Sequence, residues 1–143
     1  MSNLSRFMKQ NKKVRENTFF AATKSLLDEN GQPMLWEIRP ISTREDETIR
    51  DSCTLEVPVK GKPNLYRPKL NTSEYLAKML TASIVEPDLL DASLQDSYHV
   101  TSAEDLLREM LDEPAEFNAL GVFVQNFNGF NTSIDEKSDE VKN

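Results

Sequence analysis

The 143-residue chain is poor in the residues from which chemistry is usually built. It has one Cys, one His, one Trp and four Gly. A single cysteine, Cys53, cannot close an internal disulfide, so nothing points to an oxidising compartment or a disulfide-stapled fold. A single histidine, His99, leaves no His-x-x-x-His or His-Glu-x-x-His pattern, and no Cys-x-x-Cys pair accompanies it. The glycines Gly31, Gly61, Gly121 and Gly129 are isolated, which excludes a phosphate-cradling glycine loop. No run approaches the ~18 apolar residues of a membrane span, and the N-terminus MSNLSRFMKQNKK lacks the apolar centre of a signal peptide. Cofactors and metals are therefore not expected.

What remains is a polar chain with unevenly placed charge, 24 Asp and Glu against 17 Lys and Arg. Residues 1–24 carry Arg6, Lys9, Lys12, Lys13, Arg15 and Lys24 against Glu16, a net charge of +5 that leaves −12 for the rest. Residues 72–120 hold eleven acids against Lys78 and Arg108, a net −9. That stretch would repel a phosphate backbone, since nucleic-acid affinity comes largely from Lys and Arg displacing counterions. The basic arm alone is a weak nucleic-acid signal and reads as a solvated end.

Length allows one domain, expected over residues 1–130, followed by a polar, disordered tail at 131–143 (NTSIDEKSDEVKN) with almost nothing to bury. Within residues 1–12, Leu4, Phe7 and Met8 at i, i+3, i+4 predict a short amphipathic helix, too short to be stable unless it docks. Asn17–Lys24 reads as a strand, and Met34, Trp36 and Ile38 alternate as the inner face of a second. The turn cluster Asp28-Glu29-Asn30-Gly31-Gln32-Pro33 joins them into a hairpin. Ser42 or Thr43 caps a helix running to about Cys53. Residues 54–70 contain Pro58, Pro63 and Pro68 and read as an edge strand followed by an irregular loop.

From residue 71 the pattern is helical. Asn71 with Glu74 resembles a capping box ahead of Tyr75, Leu76, Met79 and Leu80. Pro87 sits near the start of a short helix carrying Leu89, Leu90 and Leu94. Thr101 with Glu104 leads Ala103, Leu106, Leu107, Met110 and Leu111, and Pro114 opens the last helix. The expected fold class is α+β, with an N-terminal hairpin or small antiparallel sheet, short helices and an all-helical C-terminal half.

Catalysis is not expected. Nothing brings Cys53 and His99 together, and a lone Cys at a helix end behaves as a small hydrophobe. Asp88, Asp91, Glu104, Asp105, Asp112 and Glu113 fall on polar faces or first turns of helices, and no calcium-loop spacing is present. The apolar surplus is more telling. On the last helix Phe117, Leu120 and Val124 fill a core, while Val122 and Phe123 project elsewhere and Phe127 and Phe130 continue the apolar character. A helix apolar on more than one side is deeply buried or meets a partner. Leu4, Phe7, Met8, Val122, Phe123, Phe127 and Phe130 are accordingly the candidate partner-binding residues.

The segments MSNLSRFMKQNKK and TFFAATKSLLDENGQPMLWEIRPIS, with the turn Gly31-Gln32-Pro33 leading into Trp36-Glu37-Ile38-Arg39-Pro40-Ile41-Ser42, resemble the XkdN-like family of phage tail assembly chaperones. The likeness is strongest over residues 1–60 and looser through the acidic helices of 72–127. It implies a non-enzymatic protein of the bacterial host cytoplasm, used in virion assembly and absent from the mature tail. Its implied partners are the tape measure protein, tail tube subunits and a frameshifted longer form of itself; oligomeric state stays open, and neither nucleic acid nor membrane is implied. Competing readings are a minor structural or completion protein of the tail, and an acidic nucleic-acid mimic.

Overall fold

The computed structural model describes residues 3–130, so the expected tail at 131–143 lies outside the described residues. The N-terminal segment forms one helical turn, α1 (Asn3–Arg6), then a 3₁₀ turn at Lys9–Asn11, rather than one continuous helix. Strands β1 (Thr18–Phe20) and β2 (Trp36–Ile38) pair antiparallel with Thr18 opposite Ile38 and Phe20 opposite Trp36. Asp28 builds the turn between them: its Oδ1 accepts from the N–H groups of Asn30 and Gln32, and Gly31 takes the φ of 78° that the turn needs. Trp36 and Ile38 are buried as their alternation predicts; Met34 falls outside the strand and is exposed.

Helix α2 (Thr43–Ser52) starts on a complete capping box between Ser42 and Glu45. Residues 54–70 depart from expectation. They form a long hairpin, β3 (Thr54–Val59) and β4 (Lys62–Leu70), turning at Gly61 with φ 78°. Its prolines are tolerated because each strand of a two-stranded sheet has a free edge where a missing N–H breaks no ladder bond.

Helix α3 (Thr72–Ser83), capped by Asn71, leads directly into β5 (Ile84–Glu86), which pairs antiparallel with β2. The order β1-β2-β5 puts β2 in the middle, and the helical half thus contributes one short strand. The expected helix start at Pro87 is instead a cis Glu86–Pro87 bond after that strand. Helix α4 (Ala92–Ser97) is capped by Asp91, and α5 (Ala103–Met110) by Ser102, one residue later than the Thr101 box predicts. Helix α6 (Pro114–Phe127) has Pro at its first position as read.

Helix α3 is central, touching α2, α5, α6 and β5. One contiguous core joins Trp36, Ile38 and Ile84 from the sheet to Met79, Leu80, Leu106, Leu107, Leu120 and Val124 from the helices. Gly121 lies where α6 meets α3: a Cβ there would touch Leu76 Cδ1 and Cδ2 at 3.6 Å, an ordinary van der Waals distance.

Candidate interaction surfaces

The last helix is fastened at both ends. At its N-terminus Glu116 accepts hydrogen bonds from Thr23 Oγ1 at 2.7 Å and from the Lys24 N–H at 2.9 Å. The Thr23 hydroxyl holds the Glu116 carboxyl below its usual range, with the Lys24 N–H adding to the effect. At its C-terminus Asn128 Oδ1 accepts from the Ile41 N–H at 2.8 Å, and its Nδ2 donates to the Val124 carbonyl. Gly129, at φ 84°, lets the chain reverse: its N–H bonds the Asn126 carbonyl and the Phe130 N–H bonds the Gln125 carbonyl. That Schellman arrangement brings Phe130 back against the core.

These anchors decide where the apolar surplus points. The rings of Phe20 and Phe123 stack at 4.4 Å between centroids, and Phe123 and Phe127 follow at 6.4 Å. Phe123, Phe127 and Phe130 are half-buried and pack on the core, whereas Val122 is 46% exposed. The N-terminal arm is different. Leu4 is 67% and Phe7 84% exposed, Met8 is exposed too, and α1 has no buried residue. Downstream, Arg15 donates to the Ile41 carbonyl at 2.8 Å, which ties the base of the arm to the domain. The structure therefore separates the candidate residues into an exposed arm and a largely packed aromatic row.

The third surface was not foreseen. Hairpin β3–β4 is exposed over most of both faces, with Leu55, Leu65 and Tyr66 among its open apolar residues. The fourth is a polar cleft between α3 and α5 lined by Glu74, Lys78, Ser102, Glu104, Asp105 and Arg108. Arg108 pairs with Asp105 at 3.0 Å, and Lys78 with Glu74 at 3.8 Å.

The groups with chemical potential are in structural service. Cys53 is buried as the cap residue of α2, while His99 is exposed in a left-handed turn (φ 58°) after α4, so the two form no nucleophile–base pair. Asp88 accepts from the Leu90 N–H, and Asp91 caps α4, where Ser93 and the Leu94 N–H lower its pKa. Tyr75 donates to Asp46, and Arg50 lies 4.6 Å over its ring. Burial, reinforced by Asp46, pushes the Tyr75 phenol up to about 12. Among the described residues no cluster of His, Cys, Asp or Glu is placed to hold a metal ion, and no helix is long and apolar enough to cross a membrane.

Comparison with known proteins identifies the fold and the family. The crystal structure of the protein yqbn superposes with a TM-score of 0.76 at 17% identity, covering 92% of this chain and 99% of that one, and so shares its fold. The phage-like element PBSX protein XkdN of Bacillus subtilis (strain 168) is 24% identical over 123 residues, 85% of this chain and 80% of that protein. The model of the phage XkdN-like tail assembly chaperone family matches residues 4–142, and the chain belongs to that family.

Proposed function

We propose that this chain, whose family assigns it to phage tail assembly, is a non-enzymatic chaperone that binds the tape measure protein in the host cytoplasm and leaves before the tail is complete. A tape measure protein is a long helical client whose apolar faces have no partner until the tube forms. A chaperone for it needs apolar side chains held open, set among charges that prevent clumping. The observation that carries the reading is the exposed Leu4–Phe7–Met8 arm: three apolar side chains on a basic segment, none of them buried. Val122 offers a second open contact, while Phe123, Phe127 and Phe130 are only half-buried against the core. Helix-in-groove binding, many copies to one client, is the mode such residues suit. Met8 adds an adaptable contact.

The test is co-expression with the tape measure protein of the same tail module. The client should become soluble and co-purify with several copies of the chaperone. Phe7→Asp and Val122→Asp should each weaken that recovery while leaving the fold intact, because both side chains already face solvent. A client that stays insoluble and unbound overturns the reading. Finding the chain in purified particles would replace it with a structural role in the tail.

A further inference from the structure

We infer that residues 131–143 of the same chain cover the N-terminal arm at Leu4, Phe7 and Met8, and that a client must displace them to bind there. The two segments leave the domain at one residue. Arg15 Nη2 donates to the Ile41 carbonyl at 2.8 Å, and Asn128 Oδ1 accepts from the Ile41 N–H at 2.8 Å. The arm lies just upstream of the first contact, and residue 131 follows close behind the second. Between them Phe130 is turned back by Gly129 against the core to which Ile41 belongs. Extended, the 13 residues 131–143 span up to about 45 Å, whereas the chain from Arg15 back to Phe7 spans at most about 28 Å. The length suffices to reach the exposed side chains of the arm.

Charge selects the same pair. Residues 1–15 carry Arg6, Lys9, Lys12, Lys13 and Arg15 and no acid, a net +5. Residues 131–143 carry Asp135, Glu136, Asp139 and Glu140 against Lys137 and Lys142, a net −2, with Ile134 and Val141 as apolar residues. The acidic helices of 72–120 are the rival for these cations. Yet Arg6, Lys9, Lys12 and Lys13 form no ion pair among the described residues, and nothing in α1 is buried. Segments tethered to one point meet at effective concentrations on the order of millimolar, so a weak attraction is enough to hold them together. Weakness is also what the function needs, because a light cover hides apolar side chains from chance partners and yields to a better one. This regulatory part rests on the client reading above; the contact itself does not.

A nitroxide spin label on the full chain tests the contact without any client. Ser138→Cys takes the label, since Cys53 is buried. The amide signals of Leu4, Phe7 and Met8 should lose most of their intensity at ~50 mM salt and recover it at ~0.5 M, where charge is screened within a few ångströms. Lys9→Glu, Lys12→Glu and Lys13→Glu together should abolish the loss, as should Asp135→Lys with Glu136→Lys, and combining both sets should restore it. Circular dichroism establishes that each variant is folded. No loss of signal overturns the inference, as does a loss that ignores salt and charge reversal. So does a loss passed from a labelled copy to an unlabelled one, which would put the segment on a neighbour. In co-expression the Asp135→Lys, Glu136→Lys chain should bind the tape measure protein more tightly, by the inverse of the fraction of arms left open in the wild type. Unchanged binding beside a proven contact overturns the regulatory part. A client bound by neither form overturns the proposed function instead, with the contact still read by the label.

Discussion

Arg39 and Glu45 meet as a fork, Nη1 to Oε1 at 3.1 Å and Nη2 to Oε2 at 2.5 Å, so that the residue leaving β2 grips the first turn of α2. The same carboxylate accepts from the Ser42 N–H at 3.1 Å, while Ser42 Oγ accepts from the Glu45 N–H. One side chain therefore caps the helix and fixes its angle to the sheet.

The Arg39 guanidinium, chiefly, holds the Glu45 carboxyl down at about 2, against an ordinary 4.5. A folded-state pKa below the unfolded value stabilises the fold above the unfolded pKa, and that contribution is lost as pH falls from about 4.5 to about 2. Both side chains are more than a third exposed, so solvent screening keeps the pair itself to roughly 0.5–1 kcal/mol. Glu45→Gln should lower urea stability by about that much at neutral pH, and the gap from wild type should close near pH 2. A gap that persists at pH 2 would show that the pair is not its source.

At the alkaline end Tyr75 behaves in the opposite sense. Its phenol is raised to about 12 by burial and by Asp46, so its contribution is complete below the ordinary value of 10 and is lost as pH climbs toward 12. Tyr75→Phe should flatten the loss of stability between pH 10 and 12, read by the absorbance of tyrosinate against unfolding.

Phe20 and Phe123 stack across β1 and α6. Phe123→Ala should cost about 2–3 kcal/mol, below the range for a fully buried ring because Phe123 is only half-buried. A double-mutant cycle with Phe20→Ala should return a coupling of about 0.5–1.5 kcal/mol, and additivity would show that the stack contributes nothing beyond burial.

Gly121 sits mid-helix without a positive φ, and a methyl group there meets Leu76 at 3.6 Å, an ordinary contact. Gly121→Ala should therefore stabilise the protein by about 0.5–1 kcal/mol through helix propensity, visible as a higher melting temperature. A lower melting temperature would mean that α3 and α6 approach too closely for the added carbon.

Features set by near neighbours were legible from the sequence: the Ser42 cap, the Asn71 cap, Pro114 at the start of α6, and the buried phase of Trp36 and Ile38. The cap of α5 slipped by one residue because Thr101/Glu104 and Ser102/Asp105 offer competing boxes; the Ser102 hydroxyl takes the Asp105 N–H. Strand β5 was hidden because a three-residue Ile-Val-Glu segment becomes a strand only by pairing with β2 far upstream. The β3–β4 hairpin was hidden by its prolines, which speak against a central strand but not against a two-stranded arm, and Gly61 was the overlooked turn signal. Of the candidate residues, periodicity identified the apolar surplus on α6. It could not say that Phe20 would cover Phe123 while Leu4 and Phe7 stayed open.

The central position of β2 also dictates an order of events. Synthesis runs from the N-terminus, and domains fold as units while chains emerge. Trp36 and Ile38 reach solvent long before β5, Leu106, Leu120 and the Glu116 clamp on Thr23 have been made. No early segment can close the core alone, so each nascent copy carries uncovered apolar strands until its last helix leaves the ribosome. For most of its own making, this protein is in the condition from which it is proposed to protect another.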